Sequence, residues 1–277
     1  MTHAGRPAAP LATAGALVRL VRWPNALIAA AGVLAGAWWA GGDPLAFRPL
    51  LAALCAVALT AIANAENDRR DVAIDRVAHP ERPLASGALG PAAARRVVVG
   101  AALLALVLAA AVGGAVLLAT PIVIGVMLVY TPWLKPLGLP GNLAVALLAS
   151  LPFLYGGWSV GSGRPALALV ALAVPLHLAR EIAKDLDDSA GDAGARRTLP
   201  IAAGPRVARA ALLTALALFL AVLLPFAAAR PRFAVLVVPA LVLAGAGAWR
   251  ALRGRTGGPR LLKAAMVCAM ASLLVAR

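Results

Sequence analysis

The sequence predicts an all-α fold, a polytopic membrane bundle of nine transmembrane helices. Two observations carry this. Of 277 residues, 62% are hydrophobic and the mean hydropathy is +0.88, whereas soluble domains are roughly 45–50% apolar. The apolar residues are also gathered into long uncharged stretches, with no polar stretch long enough for a separate soluble domain. A helix needs about 20 apolar residues to cross about 30 Å of hydrocarbon, so these stretches read as spans. A third observation, the distribution of charge, orients them.

The spans follow in chain order. The first, 25–41, starts just after Arg22-Trp23-Pro24, and the second covers 50–65. The third, 97–112, and the fourth, 115–133, are separated only by Gly113 and Gly114, which predicts a tight turn that barely leaves the bilayer. The fifth is 142–158, after Gly141; the sixth, 165–179, opens on Pro165. Spans at 207–229, 233–249 and 261–276 complete the set. Most are rich in Ala, Leu, Val and Gly, small residues that let membrane helices approach closely. Residues 1–277 are expected to form one unit. The polar, Pro-rich start and the length of the first apolar stretch speak against a cleaved signal peptide.

Of the 26 basic residues, all but Arg48, Arg164, Arg230, Arg232 and Arg277 fall on one alternate set of connections. The positive-inside rule places that set in the cytoplasm. A cytoplasmic (inner) membrane protein is expected, with the N-terminus inside and the C-terminus outside. A net charge of +15 would suggest nucleic acid in a soluble chain. Here the cations flank apolar segments, where orientation and anionic lipid headgroups account for them. Membrane lipids are therefore expected partners, and neither nucleic acid nor an obligate protein partner is. Cys55 and Cys268 lie far apart in apolar surroundings and read as inert thiols, while His3, His79 and His177 are too scattered for a histidine metal site.

The acids are more informative. Of 11, only Asp43 falls on the outer side; the others lie in two short stretches, 66–81 after the second span and 181–192 after the sixth. The window 64–75 contains Asp68, Asp71 and Asp75, and the window 180–192 contains Asp185, Asp188 and Asp192. Both read D-x-x-D-x-x-x-D, which puts three carboxylates on one helix face. Like charges so placed repel and call for a counter-charge. Oxygen-only ligands favour Mg²⁺, which binds a carboxylate or two together with waters and substrate phosphates. The order of residues does not fit an EF-hand loop. Two facing clusters could hold a diphosphate through two bridging ions, with nearby Lys and Arg donating to its oxygens. The bundle would supply an apolar chamber for a hydrocarbon tail and keep water from a carbocation.

These windows carry a resemblance. Asn67-Asp68-x-x-Asp71-x-x-x-Asp75, followed by His79-Pro80-Glu81-Arg82-Pro83-Leu84-Ala85-Ser86-Gly87, resembles the first signature of the UbiA family of intramembrane prenyltransferases. Arg180-Glu181-Ile182-Ala183-Lys184-Asp185 through Gly191-Asp192, then Thr198-Leu199-Pro200, resembles the second. Tyr130-Thr-Pro-Trp-Leu-Lys135 is similar to the element between them, and Arg22-Trp-Pro-Asn25 to the start of the first helix. The resemblance covers nearly the whole chain and implies nine transmembrane helices.

It also implies roles. Asn67, Asp68, Asp71 and Asp75 would bind Mg²⁺ and diphosphate from one side, and Asp185, Asp188 and Asp192 from the other. Lys184 and Lys135 would contact diphosphate oxygens, with Tyr130 nearby. Arg69, Arg70 and Asn25 are further diphosphate candidates, and Arg82 and Ser86 would order the loop over the site. Arg196 and Arg197, just beyond the second window, join the phosphate-binding set and could serve an acceptor phosphate. The second signature is similar to the branch that transfers geranylgeranyl-type chains, including the archaeal ether-lipid enzymes.

The expected reaction is Mg²⁺-dependent transfer from a prenyl diphosphate donor to a lipophilic acceptor, a prenylated glycerol phosphate. A UbiA-type terpene cyclase, which quenches the same cation internally, and transfer to an aromatic acceptor are the alternatives; aromatic content of 5% disfavours the second. A transporter or channel should carry polar groups near mid-span, and the apolar stretches offer no continuous polar line.

Overall fold

The computed structural model describes residues 10–192 and 197–275. In chain order the helices are α1 (Pro10–Val21), α2 (Trp23–Trp39), α3 (Phe47–Arg70), α4 (Val72–Ala78), α5 (Pro91–Val112) and α6 (Gly114–Val129). A π-helical turn, Tyr130–Leu134, and a 3₁₀ turn, Lys135–Leu137, follow. Then come α7 (Leu139–Ser159), α8 (Leu167–Asp192), α9 (Leu199–Ala203), α10 (Pro205–Ala228), α11 (Pro231–Leu236), α12 (Val238–Leu252) and α13 (Gly258–Val275). Among the described residues there is no strand, as bilayer-spanning backbone that must satisfy its own hydrogen bonds requires of an open chain.

Each of the nine apolar stretches falls on helix. By length and composition six helices are able to cross a membrane, and the bent pair Ala14–Val21 and Trp23–Trp39 makes a seventh if it is one span. The other two stretches fail that test for visible reasons: α8 carries Arg180, Glu181 and Lys184 inside its length, and the helix Val238–Leu252 is only 15 residues long. Proline starts several helices, as Pro91 does α5 and Pro205 does α10, where its missing N–H is not needed. Gly113 (φ 76) and Gly114 (φ 56) make the tight turn between α5 and α6, in a left-handed backbone region that side chains rarely adopt.

Two apolar cores form, one chiefly from α2, α3, α5 and α6, the other from α7, α8, α10, α12 and α13. They meet where α2 crosses α7. A methyl group on Gly36 would overlap the Phe153 carbonyl, and one on Gly156 would overlap that of Val33. Glycine is what allows these two backbones to touch. Cys55 is buried with its Sγ 3.4 Å from the Ala105 carbonyl, and Cys268 is half-buried; both are free thiols.

The two ends of the bundle differ. At one end Arg48 donates to the Val112 carbonyl, and Arg230 lies 4.3 Å from the centre of the Phe226 ring and 5.2 Å from that of Trp39. At the other end the acidic windows meet. There Asn64 donates to the Val21 carbonyl at 2.8 Å, and Asp187 accepts the Gly257 N–H at 3.0 Å.

Candidate active site

The first acidic window lies where α3 ends. The spacing predicts one helix face for Asp68, Asp71 and Asp75; instead α3 stops at Arg70 and α4 begins at Val72, with Asp71 (φ −92, ψ 7) between them. The hydrogen-bond ladder survives the break, since Asp71 N–H donates to the Asn67 carbonyl and Asp75 N–H to that of Asp71. The 0, 3, 7 spacing therefore still keeps Asp68 and Asp75 within reach of one side chain, Arg82. Asp68, Asp71 and Asp75 are at most 5% exposed, and a buried carboxylate is costly without charged or hydrogen-bonded partners.

Those partners come from other elements. Arg22, between α1 and α2, reaches Asp68 at 2.5 Å. Arg82, in the loop after α4, reaches Asp75 at 2.6 Å and Asp68 at 3.6 Å. Lys135 approaches Asp71 at 2.5 Å and the Asn67 side-chain oxygen at 3.3 Å. Part of the counter-charge that the sequence reading assigns to metal is thus supplied by three cations. Accordingly, among the described residues no three His, Cys, Asp or Glu side chains converge on a metal-sized point.

The second window lies on the charged end of α8, past the apolar stretch. Asp185 accepts from the Asn142 amide at 2.9 Å, which ties α8 to the start of α7. Asp185 and Asp188 are half-buried. Asp187, which the repeated spacing excludes, holds the backbone ahead of α13. Arg196 and the side chain of Asp192 lie outside the described residues, and Arg197 is exposed.

Between the windows a cavity of about 380 Å³ runs down into the bundle. Its deep walls are apolar, including Phe153, Leu172, Phe219, Leu223, Phe233 and Met270. Its mouth is ringed by Asn25, Asn67, Tyr130, Lys135 and Lys184, all expected from the sequence. Arg22, Asn64, Arg180, Glu181 and Lys263 complete the ring. Lys263 donates to the Asn25 side-chain oxygen at 2.5 Å. Arg69 and Arg70 are placed elsewhere. Both turn to Glu66, with bonds of 2.7–2.8 Å, and neither lines the cavity. An i, i+3 or i, i+4 carboxylate is a nearer partner than a diphosphate across the mouth.

Arg22, Lys263, Asn142 and Arg180 are contributors to which the sequence reading gives no role. Arg22 and Arg180 stand inside quoted motifs, and Asn142 just after one. Nothing in the sequence marks Lys263, whose partner Asn25 is 238 positions away.

A helical bundle whose apolar chamber ends in a collar of cations, amides and oxygen-only acids is the arrangement of a membrane enzyme acting on an amphiphile with a phosphorylated head. The chain belongs to the UbiA prenyltransferase family, which matches residues 29–272, and it is an integral membrane prenyltransferase. It is 36% identical over 268 residues to the digeranylgeranylglyceryl phosphate synthase of Natronomonas pharaonis, covering 94% of this chain and 96% of the relative. A UbiA homologue from Aeropyrum pernix K1 shares the fold with a TM-score of 0.75 at 22% identity, over 90% of this chain and 97% of the other. A UbiA homologue from Archaeoglobus fulgidus, solved bound to GPP and Mg²⁺, does so with a TM-score of 0.70 at 20% identity, over 93% and 96%.

Proposed function

We propose that this chain transfers a geranylgeranyl-type group from its diphosphate to the hydroxyl of a prenylated glycerol phosphate. The observation that carries the reading is the cavity: an apolar shaft whose mouth, flanked by both acidic windows, holds Lys135, Lys184 and Asn67. Near-full-length relatedness to a digeranylgeranylglyceryl phosphate synthase supports this acceptor.

In this reading Asn67, Asp68, Asp71 and Asp75 hold the ions and the diphosphate from one side, and Asp185, Asp188 and Asp192 from the other. The donor set is oxygen-only, which fits two Mg²⁺ ions. When bound, they would neutralise charge developing on the leaving diphosphate. Lys135 already bridges Asp71 and Asn67 and would donate to a diphosphate oxygen, as would Lys184, with Tyr130 and Asn25 beside them. Apolar walls keep water from the ionised chain. The carbon–oxygen bond of the donor breaks, an ether bond forms to the acceptor oxygen, and the hydroxyl proton is released. A weak alcohol nucleophile suffices once the allylic diphosphate has ionised, so no strong base is required.

The chain acts as one unit with nine membrane passes in a cytoplasmic membrane, the acidic windows and N-terminus inside. The basic asymmetry of the connections supports that orientation. Mass spectrometry of products from purified protein, geranylgeranyl diphosphate, Mg²⁺ and a panel of acceptors tests the reading. The expected product is a diprenylated glycerol phosphate. Terpene hydrocarbon or alcohol formed without acceptor, or efficient prenylation of an aromatic acid alone, would contradict it.

A further inference from the structure

Beside the chamber a second recess, of about 360 Å³, opens where α1 meets α2. Arg22, Asn25 and Lys263 line both spaces, so the two share a wall. The recess owes its shape to Arg22. Its backbone is left-handed (φ 55, ψ 59), and among the described residues no other non-glycine has positive φ. The helices on either side are bent by 50°. Such a conformation costs on the order of 1–3 kcal/mol and persists where its surroundings enforce it; here the Asp68 ion pair anchors the side chain.

Part of the recess wall is cationic. Arg22 is held by Asp68. Among the described residues, neither Arg19 nor Lys263 forms an ion pair, and the Lys263 ammonium meets only the neutral Asn25 amide oxygen. Two unmatched cations beside an amide suit a phosphate, for which lysine supplies a point charge and arginine a planar donor fork. The outer lip is apolar: Val18 is 57% and Trp23 50% exposed, and a tryptophan at that level suits the membrane interface. Cationic along one part and apolar along another, the recess has the polarity of an amphiphile with a phosphate head and a hydrocarbon chain.

We propose that this recess binds the acceptor's phosphate through Arg19 and Lys263, with the acceptor chain leaving past Val18 and Trp23 into the lipid. The shared wall at Asn25 is where the acceptor hydroxyl meets the donor. The inference rests on the function proposed above. It gives to Arg19 and Lys263, which line the recess, the role that the sequence reading gives to Arg196 and Arg197.

The test is steady-state kinetics in phosphatidylcholine nanodiscs with geranylgeranyl diphosphate and geranylgeranylglyceryl phosphate. Lys263→Gln and Arg19→Gln should each raise the acceptor KM roughly tenfold or more, the loss expected of a charge-assisted hydrogen bond; in Arg19→Gln, whose residue lines the recess and not the chamber, the donor KM should stay unchanged. Lys263→Arg should recover most of the loss. Arg19 is exposed, so its variant serves even if Lys263→Gln disturbs the packing of α13. If the recess instead holds bulk-lipid phosphate, both variants keep the wild-type acceptor KM and lose only the stabilisation that phosphatidylglycerol gives over phosphatidylcholine; that result overturns the proposal. A wild type that prenylates no glycerol phosphate overturns the function proposed above. One that does so, with acceptor KM unchanged in both variants, overturns only this inference.

Discussion

Asp187 accepts the Gly257 N–H at 3.0 Å and so ties the charged end of α8 to the start of α13. Its neighbour Asp188 belongs to the repeated spacing. Asp187→Ala should therefore cost about 1 kcal/mol of stability, the net worth of one hydrogen bond, and leave prenyl transfer near wild type. Melting temperature and initial rate in detergent check this; an inactive, fully stable variant would move Asp187 into the diphosphate site. At this scale the sequence is legible where chemistry repeats. The windows stand out because two copies share one spacing and both follow an even-numbered span. The cations that neutralise them do not stand out: Arg22 and Asp68 are 46 positions apart and Asn142 and Asp185 are 43 apart. Arg69 and Arg70 show the same effect in reverse. Basic residues beside an acidic motif read as diphosphate candidates, and the structure pairs both with Glu66, one turn away.

At the scale of elements, hydropathy locates the helices but not their breaks. The apolar stretches fall on helix, whereas the interruption at Asp71 and the π-helical turn Tyr130–Leu134 carry no hydropathy signal, and α1, apolar but short, lies ahead of the first stretch. Pro132 gives a physical reason for the last, because its ring and missing N–H disturb the regular ladder. The contact of α2 with α7 depends on Gly36 and Gly156. Alanine at either should push the helices apart and cost roughly 1–3 kcal/mol, as overpacking does. Gly125, in α6, meets nothing within 4 Å where a Cβ would stand. Gly125→Ala should be neutral or stabilising by up to about 1 kcal/mol. Thermal unfolding in detergent separates the three variants; a Gly36→Ala protein that melts like wild type would contradict so close a crossing.

In the whole molecule, two apolar cores face one another across the chamber, and each half brings one acidic window to its mouth. That division explains why the head of the donor site is visible in the sequence while the chamber wall is not. A charged head needs acids and cations at fixed spacing, which leave a pattern. An apolar wall needs only suitable volume, which Phe153, Phe219 and Phe233 supply from three different helices. The central claim is that both windows hold one diphosphate. The most direct measurement is the initial rate of transfer from geranylgeranyl diphosphate against Mg²⁺ concentration for wild type, Asp71→Ala and Asp188→Ala. The wild type should lose activity when Mg²⁺ is chelated and regain it on re-addition. Each variant, still folded by its melting temperature, should fall at least about a hundredfold, the scale of losing a group that stabilises transition-state charge. Near-full activity in either variant at wild-type Mg²⁺ concentrations would contradict a shared site.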